Sequence, residues 1–424
     1  MSTPHHATLS NGIQIVLEPI PHRRSVALGV WMARGSRHEA AMENGMTHFC
    51  EHLLFKGTPS QGWKDIGRRM NRLGGNFNAM TSSEWVKLYG QVITRDVEEA
   101  MGLLSEMFLV PTFPKEEVDR EREVILEEIA QYEDLPDELC GETLLAELLL
   151  PHPLGRPVIG TDELVTGFTR DALSHYWGSS IEHDPLLVSM AGDLEIEPTV
   201  ALCERLLGHL PTRPAQRLIE EPVKGGHGVA LIDRDLEQVN FGLAIIGARR
   251  NSDDRFAWAV YDTILGGGMG SRLFDEIREK RGLAYSVGSG LNSMRETGML
   301  QISCSSRPET AAQALEICIQ EIAKLAADGP TTEELSTAQR QLERSHLLAQ
   351  ESTGWRALVN GERLVYDLPH VTTDEILRRL HNVTAQEVRT VAERVKAYGA
   401  PAFCAVGSLK EAKGLEKVAY SMAG

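Results

Sequence analysis

Apolar and polar positions alternate in short runs at the start of the chain and then give way to helical spacing. Ala7 to Ser10 and Ile13 to Glu18 flank Asn11-Gly12, a dipeptide that supplies the positive φ of a tight turn, so the N-terminus is expected to form a hairpin. In Ser25 to Ala33, the residues Val26, Leu28, Val30 and Met32 fall on one side of an extended chain, which predicts a strand with one buried face. Helical spacing follows at Gly45–Phe55 and Trp63–Leu73, closed by Gly57 and Gly74. Asn76–Met80 and Trp85–Ile93 return to alternation and are expected to pair, and Val97–Val110 and Lys115–Tyr132 again read as helices. This order of elements, with no low-complexity linker, predicts layers of the α+β or α/β kind.

An internal repeat sharpens that expectation. VALGVWMARGSRHE, beginning at Val26, resembles VNFGLAIIGARRNS, beginning at Val239, at an offset of 213 residues. Gly29 then falls on Gly242, Arg37 on Arg250, and Gly57 on Gly270, just after a second helical stretch at Phe256–Leu265. The repeat predicts two similar domains, 1–215 and 225–424, joined near 212–228, where TRPAQRLIEEPVKGGHG supplies prolines and glycines. In the second half, Ser271 is expected to cap a helix, Arg272–Arg281, that ends at Gly282 before a strand, Leu283–Gly290.

Composition narrows the function classes. The chain of 424 residues is 42% hydrophobic and 24% charged, the balance of a globular protein with ample core. No segment approaches the roughly 18 uninterrupted apolar residues of a membrane span. The first twenty residues lack a basic leader with an apolar run and lack an Arg-rich amphipathic pattern, so a cytoplasmic location without membrane attachment is expected. Six scattered cysteines, with no C-x-x-C pair, predict reduced and buried thiols. A formal net charge of −17 argues against nucleic acid as a partner and would suit basic ligands if it faces a cavity.

The segment His48-Phe49-Cys50-Glu51-His52 carries the candidate chemistry. On a helix, residues four apart share a face, so both imidazoles can meet one ion, with Glu51 beside them. Two histidines and a neighbouring carboxylate in this order invert the H-E-x-x-H pattern, and they suit zinc, with the carboxylate as base toward a zinc-activated water. A third ligand is expected downstream in DREREVILEEIAQYED. There Glu121 and Glu128 lie two turns apart on a face that also carries Val124 and Ile125, which should turn it inward; Glu127 and Glu128 both remain open as the ligand. The cluster Gly266-Gly267-Gly268-Met269-Gly270 follows a helix and lacks a Lys-Ser/Thr sequel, so it reads as a helix-ending loop and not a phosphate cradle.

Five segments in order, ENGMTHFCEHLLFKGT, GGNFNAMTSSEW, EREVILEEI, HPLGRPVIGT and SRLFDEIREKRGLAYSV, resemble the pitrilysin or insulinase family of zinc peptidases. They resemble in particular its short branch, which includes the mitochondrial processing peptidase and its bacterial relatives. The resemblance implies an α+β fold of two similar domains, each a mostly antiparallel sheet packed with helices. It also implies one Zn2+ held by His48, His52 and Glu128, with Glu51 as general base and Glu121 orienting a ligand histidine. Asn78, Ala79, Met80 and Thr81 would form an edge strand that pairs with extended peptide, and Arg278 and Tyr285 would reach bound substrate. Trp85 and Val86 depart from the usual His-Thr pair, which leaves the local side-chain contacts open. The repeat sets Tyr261, Ile264 and Leu265 opposite His48, Glu51 and His52, so one zinc per chain is expected, with none in the second domain. A homodimeric endopeptidase that encloses peptides in a chamber, with the acidic balance favouring basic ones, is the expected function; the alternative is a non-catalytic or partner-dependent subunit.

Overall fold

The computed structural model describes residues 3–211 and 223–423, so most of the expected joint at 212–228 lies outside the described residues. The strands are β1 His5–Thr8, β2 Gln14–Pro19, β3 Ser25–Met32, β4 Asn76–Thr81, β5 Val86–Ile93, β6 Leu186–Gly192, β7 Val229–Asp233, β8 Val239–Ile246, β9 Ala284–Ser293, β10 Gly298–Ser306 and β11 Ala402–Gly407. The helices are α1 Met46–Leu53, α2 Trp63–Leu73, α3 Val97–Leu109, α4 Lys115–Asp134, α5 Pro136–Leu149, α6 Asp162–Gly167, α7 Arg170–His183, α8 Ile196–Leu207, α9 Arg255–Leu265, α10 Pro308–Asp328, α11 Thr332–Ala349, α12 Thr353–Val365, α13 Thr373–His381, α14 Ala385–Ala397 and α15 Leu415–Ala423.

The N-terminal hairpin forms as expected: Gly12 takes a φ of 91°, and its N–H donates to Leu9 C=O at 2.9 Å. Beyond it, the chain builds two compact units. One comprises 3–129, 156–211 and 348–372; the other comprises 130–155, 223–347 and 373–423. The first holds a sheet in the order β1-β2-β6-β3-β5-β4, and the second a sheet in the order β7-β11-β8-β10-β9. In each sheet one pair is parallel, β2 with β6 and β7 with β11, and the other pairs are antiparallel. The strands β2, β6, β3, β5 and β4 therefore correspond one for one to β7, β11, β8, β10 and β9. Even the register agrees. Gly29 pairs with Ser189 and Tyr89, and Gly242 with Cys404 and Ser303, on corresponding neighbours. The fold is α+β with two similar domains.

Each unit takes one helix from the opposite half of the chain. In the first, α12 packs on β2, β3 and β6; in the second, α5 packs on β8 and β11. Glycine permits both approaches. A Cβ on Gly361 of α12 would stand 2.4 Å from the Trp31 ring, and one on Gly242 of β8 would stand 2.4 Å from Leu144 of α5. The first contact is fixed further by polar groups: Asn360 donates to Glu18 at 2.7 Å, Arg356 pairs with the same carboxylate, and Tyr366 donates to Glu84 at 2.8 Å.

This cover corrects two local expectations. β3 is buried along both faces and not one, because α12 covers the side of Ala27, Gly29 and Trp31 while α3 packs against the strand too. The helix expected at Arg272–Arg281 winds as a π-helix at Phe274–Glu279, with the Lys280 N–H on Asp275 C=O at 2.9 Å. Ser271 does not cap it: its hydroxyl is buried without a partner among the described residues. The wide turn keeps Leu273 and Ile277 in the core and leaves Arg278 outside.

Candidate metal centre

The helix α1 is short and heavily anchored. Gly45 begins it with a φ of 103°, where a Cβ would lie 2.8 Å from Ile159 C=O. The buried carboxylate of Glu39 accepts the N–H groups of Gly45 and Thr47 at 2.9 and 2.7 Å and the Asn44 amide at 3.1 Å. An anion there answers the free N–H groups and the positive end of the helix dipole. Burial raises its pKa, and these donors oppose the rise. The inner face, Phe49, Cys50 and Leu53, is wholly buried, so Cys50 is a packing residue whose thiol burial pushes up.

The other face presents His48, Glu51 and His52. The imidazole centroids of His48 and His52 are 4.7 Å apart at 62°, edge to face. Glu128 of α4 places Oε2 at 4.0 Å from His48 Nε2 and 3.5 Å from His52 Nε2. Two nitrogen or oxygen ligands of one tetrahedral zinc stand about 3.4 Å apart, so these three donors fit a zinc ion with little movement. Among the described residues they are the one group of three or more histidine, cysteine or acidic side chains gathered tightly enough to hold a metal. Glu127, the rival, is exposed on the same helix.

The inward face of α4 runs through Glu121, Ile125 and Glu128. Val124, expected beside them, is 46% exposed, because it lies about 100° around the helix from the buried Ile125, on the outer side of Glu128. Glu121 Oε2 lies 3.2 Å from His52 Nδ1, and its Oε1 lies 2.6 Å from Lys56 Nζ. That arrangement fixes the His52 tautomer with Nε2 aimed at the Glu128 side. Burial lowers the His48 pKa to about 4, helped by the neighbouring His52. Burial lowers that of His52 as well, but hydrogen bonds to Glu121 and Glu128 outweigh it and raise it to about 9. Hydrogen bonding to His52 holds Glu128 below the usual carboxylate range. Glu51 is raised by burial, and the Thr81 hydroxyl, donating at 2.9 Å, moderates the rise.

Comparison with known proteins gives the arrangement a lineage. Residues 14–162 match the family model described as insulinase, peptidase family M16, and residues 167–342 match the one described as peptidase M16 inactive domain. The chain is 34% identical over 388 residues to an uncharacterized zinc protease of Bacillus subtilis, covering 92% of this chain and 94% of that one. An uncharacterized zinc protease of Mycobacterium tuberculosis is 35% identical over 403 residues, covering 94% and 92%.

The chain belongs to peptidase family M16, the insulinase family. Its fold is shared with a Pseudomonas fluorescens structure described as a peptidase M16 inactive domain, at a TM-score of 0.88 and 23% identity, covering 96% of this chain and 98% of that one. A Helicobacter pylori protease structure matches at a TM-score of 0.87 and 19% identity, covering 96% and 100%.

Of the remaining candidate residues of this M16 chain, Asn78, Ala79, Met80 and Thr81 lie on β4, at the edge of the first sheet. Asn78 Oδ1 accepts the Ala79 N–H at 2.9 Å. Trp85 is buried against Trp31 with ring centroids 5.1 Å apart. In the second unit the Arg278 guanidinium lies 4.8 Å from the Phe274 ring and 5.5 Å from that of Tyr285, which is 74% exposed on β9. No described helix is long and apolar enough to cross a membrane. Sequence reasoning missed Glu39, Lys56 and the bond from Thr81 to Glu51. Lys56 alone left a trace, one further step of four residues along the line of His48 and His52.

Proposed function

We propose that this M16 chain is a zinc metalloendopeptidase acting on extended peptides. The observation that carries the reading is the convergence of His48, His52 and Glu128 beside a half-buried Glu51, at the end of an edge strand. Zinc, when bound, supplies a Lewis acid that acidifies water and polarises a peptide carbonyl. Glu51 takes the proton from the attacking water and returns it to the leaving amine, roles suited by a carboxylate whose proton affinity burial has raised. Thr81 steers Glu51 while its own strand offers main-chain groups to the peptide, so cleavage and strand pairing are coupled through one residue. Glu121 and Lys56 hold His52 in place.

Arg278 and Tyr285, adjacent and without side-chain hydrogen bonds among the described residues, are proposed as donors to the carbonyl oxygen as it gains charge. Two chains are proposed to close into a chamber in which the pair of one serves the metal of the other. Mixing Glu51→Gln chains with Arg278→Ala chains then restores cleavage; absence of rescue removes the arrangement in trans. The charge of −17 favours basic peptides at low salt.

Zinc content and mass spectrometry of products from a mixed peptide pool test the function. Wild type is expected to bind zinc and cleave; Glu51→Gln is expected to keep the zinc and lose cleavage. Stoichiometric zinc without cleavage, restored by an unlike subunit, would replace this reading with a partner-dependent one.

A further inference from the structure

Lys87 of β5 is only 6% exposed, yet its ammonium has no ion pair or hydrogen bond among the described residues. Aromatic faces surround it instead: Tyr89 at 4.4 Å, Trp31 at 5.1 Å and Trp85 at 5.3 Å. Ring faces attract a cation but give its N–H groups no lone-pair acceptor. Burial pushes the lysine down to about 8, and the charge of Glu362 offsets this only in part. A buried ammonium whose N–H groups meet no acceptor directly is costly unless something supplies one.

What lies before it is a cavity of about 430 Å3, lined by Lys87 and Gln91 of β5, Asn76 and Met80 of β4, and Trp355 and Leu358 of α12. Along β4, successive side chains alternate between faces. Thr81 turns to Glu51, whereas Asn76 and Met80 line this cavity, which therefore occupies the face of the sheet away from the metal helix. A peptide added to the free edge of β4 would send alternate side chains to the two faces.

We propose that this cavity is a carboxylate subsite, in which Lys87 donates to an acid group of a strand-bound peptide that points away from the metal face. One cation in a space otherwise lined by apolar, aromatic, amide and hydroxyl groups suits a single negative charge on a carbon stem. The peptide rests on the peptidase reading; the carboxylate rests on the surroundings of Lys87. An overall preference for basic peptides is compatible, since the long-range field and this local contact read different positions of the substrate.

The test uses arginine-bearing peptides of one sequence with Glu or Gln placed in turn at each position around the cut, on zinc-loaded wild type and Lys87→Met. Glu is expected to exceed Gln by about tenfold in kcat/KM at alternate positions, the size of one charge-assisted hydrogen bond. That advantage is expected to vanish in Lys87→Met, while Gln peptides are cut equally by both. Lys87→Gln serves if Lys87→Met does not fold. The same peptides as C-terminal acids and amides separate the sources: an acid-over-amide advantage lost with Lys87 makes the terminal carboxylate the ligand. Equal rates for every pair overturn the subsite and leave the peptidase standing. If wild type cuts none of them, the peptidase reading falls by itself. Tryptophan fluorescence then still reports the cavity: a change with Glu and not Gln peptides, lost in Lys87→Met, upholds the subsite, and no such difference overturns it.

Discussion

The two units run the same strand order, yet the helix after the matching strand carries a candidate ligand cluster in one and core in the other. In α1, His48, Glu51 and His52 stay partly open to the site. In α9 the residues 213 positions later, Tyr261, Ile264 and Leu265, are buried, Tyr261 and Leu265 completely. The facing helix differs in step. Glu121 of α4 orients His52, whereas its counterpart Glu334 on α11 pairs with Arg272 at 2.6 Å. Glu128 meets both histidines, whereas its counterpart Gln341 donates to Gly267 C=O at 2.9 Å and so holds the glycine-rich loop. A repeat can thus keep the backbone and lack the histidine-glutamate cluster only if both helices differ together, because stranded carboxylates against an apolar helix would be costly.

The comparison breaks most sharply at Glu51. Glu51→Gln is expected to lower kcat by about a thousandfold while zinc content is unchanged, measured by peptide turnover beside metal analysis. Writing ligands into the second unit tests it from the other side. Leu265→His is expected to cost about 3 kcal/mol in urea unfolding, by loss of core packing and burial of a polar ring, and to add no zinc. The exchanged helix gives a smaller effect: Gly361→Ala should cost about 2 kcal/mol by forcing α12 away from Trp31. Smallest is Lys56→Met, expected to weaken zinc about tenfold in a chelator competition by loosening Glu121. Combined with Glu121→Gln it should add little, since both act through His52.

Much of this was legible before the structure, for reasons that differ by region. The Asn11-Gly12 turn, the helix Trp63–Leu73 and the spacing of His48 with His52 are local signals, set within a turn or two of chain, and they hold. The repeat was legible through Gly29 and Gly242, whose strand partners do correspond. The exchange of α5 and α12 was not, because no local pattern says which sheet a helix will cover; it also buried the second face of β3 that alternation left open. Composition could not separate Glu127 from Glu128, since only the phase of α4 against α1 decides it. The same phase left Val124 exposed. Lys87 gave no signal as a lone lysine in a strand, for its aromatic surround is drawn from three separate positions, Trp31, Trp85 and Tyr89.

The most direct test of the account is zinc per chain, by inductively coupled plasma mass spectrometry on protein stripped with chelator and reloaded. One zinc is expected in wild type and in Tyr261→Phe, and none in His52→Ala. Two zincs in wild type, or a zinc that persists in His52→Ala, would contradict a single site built on α1 and α4.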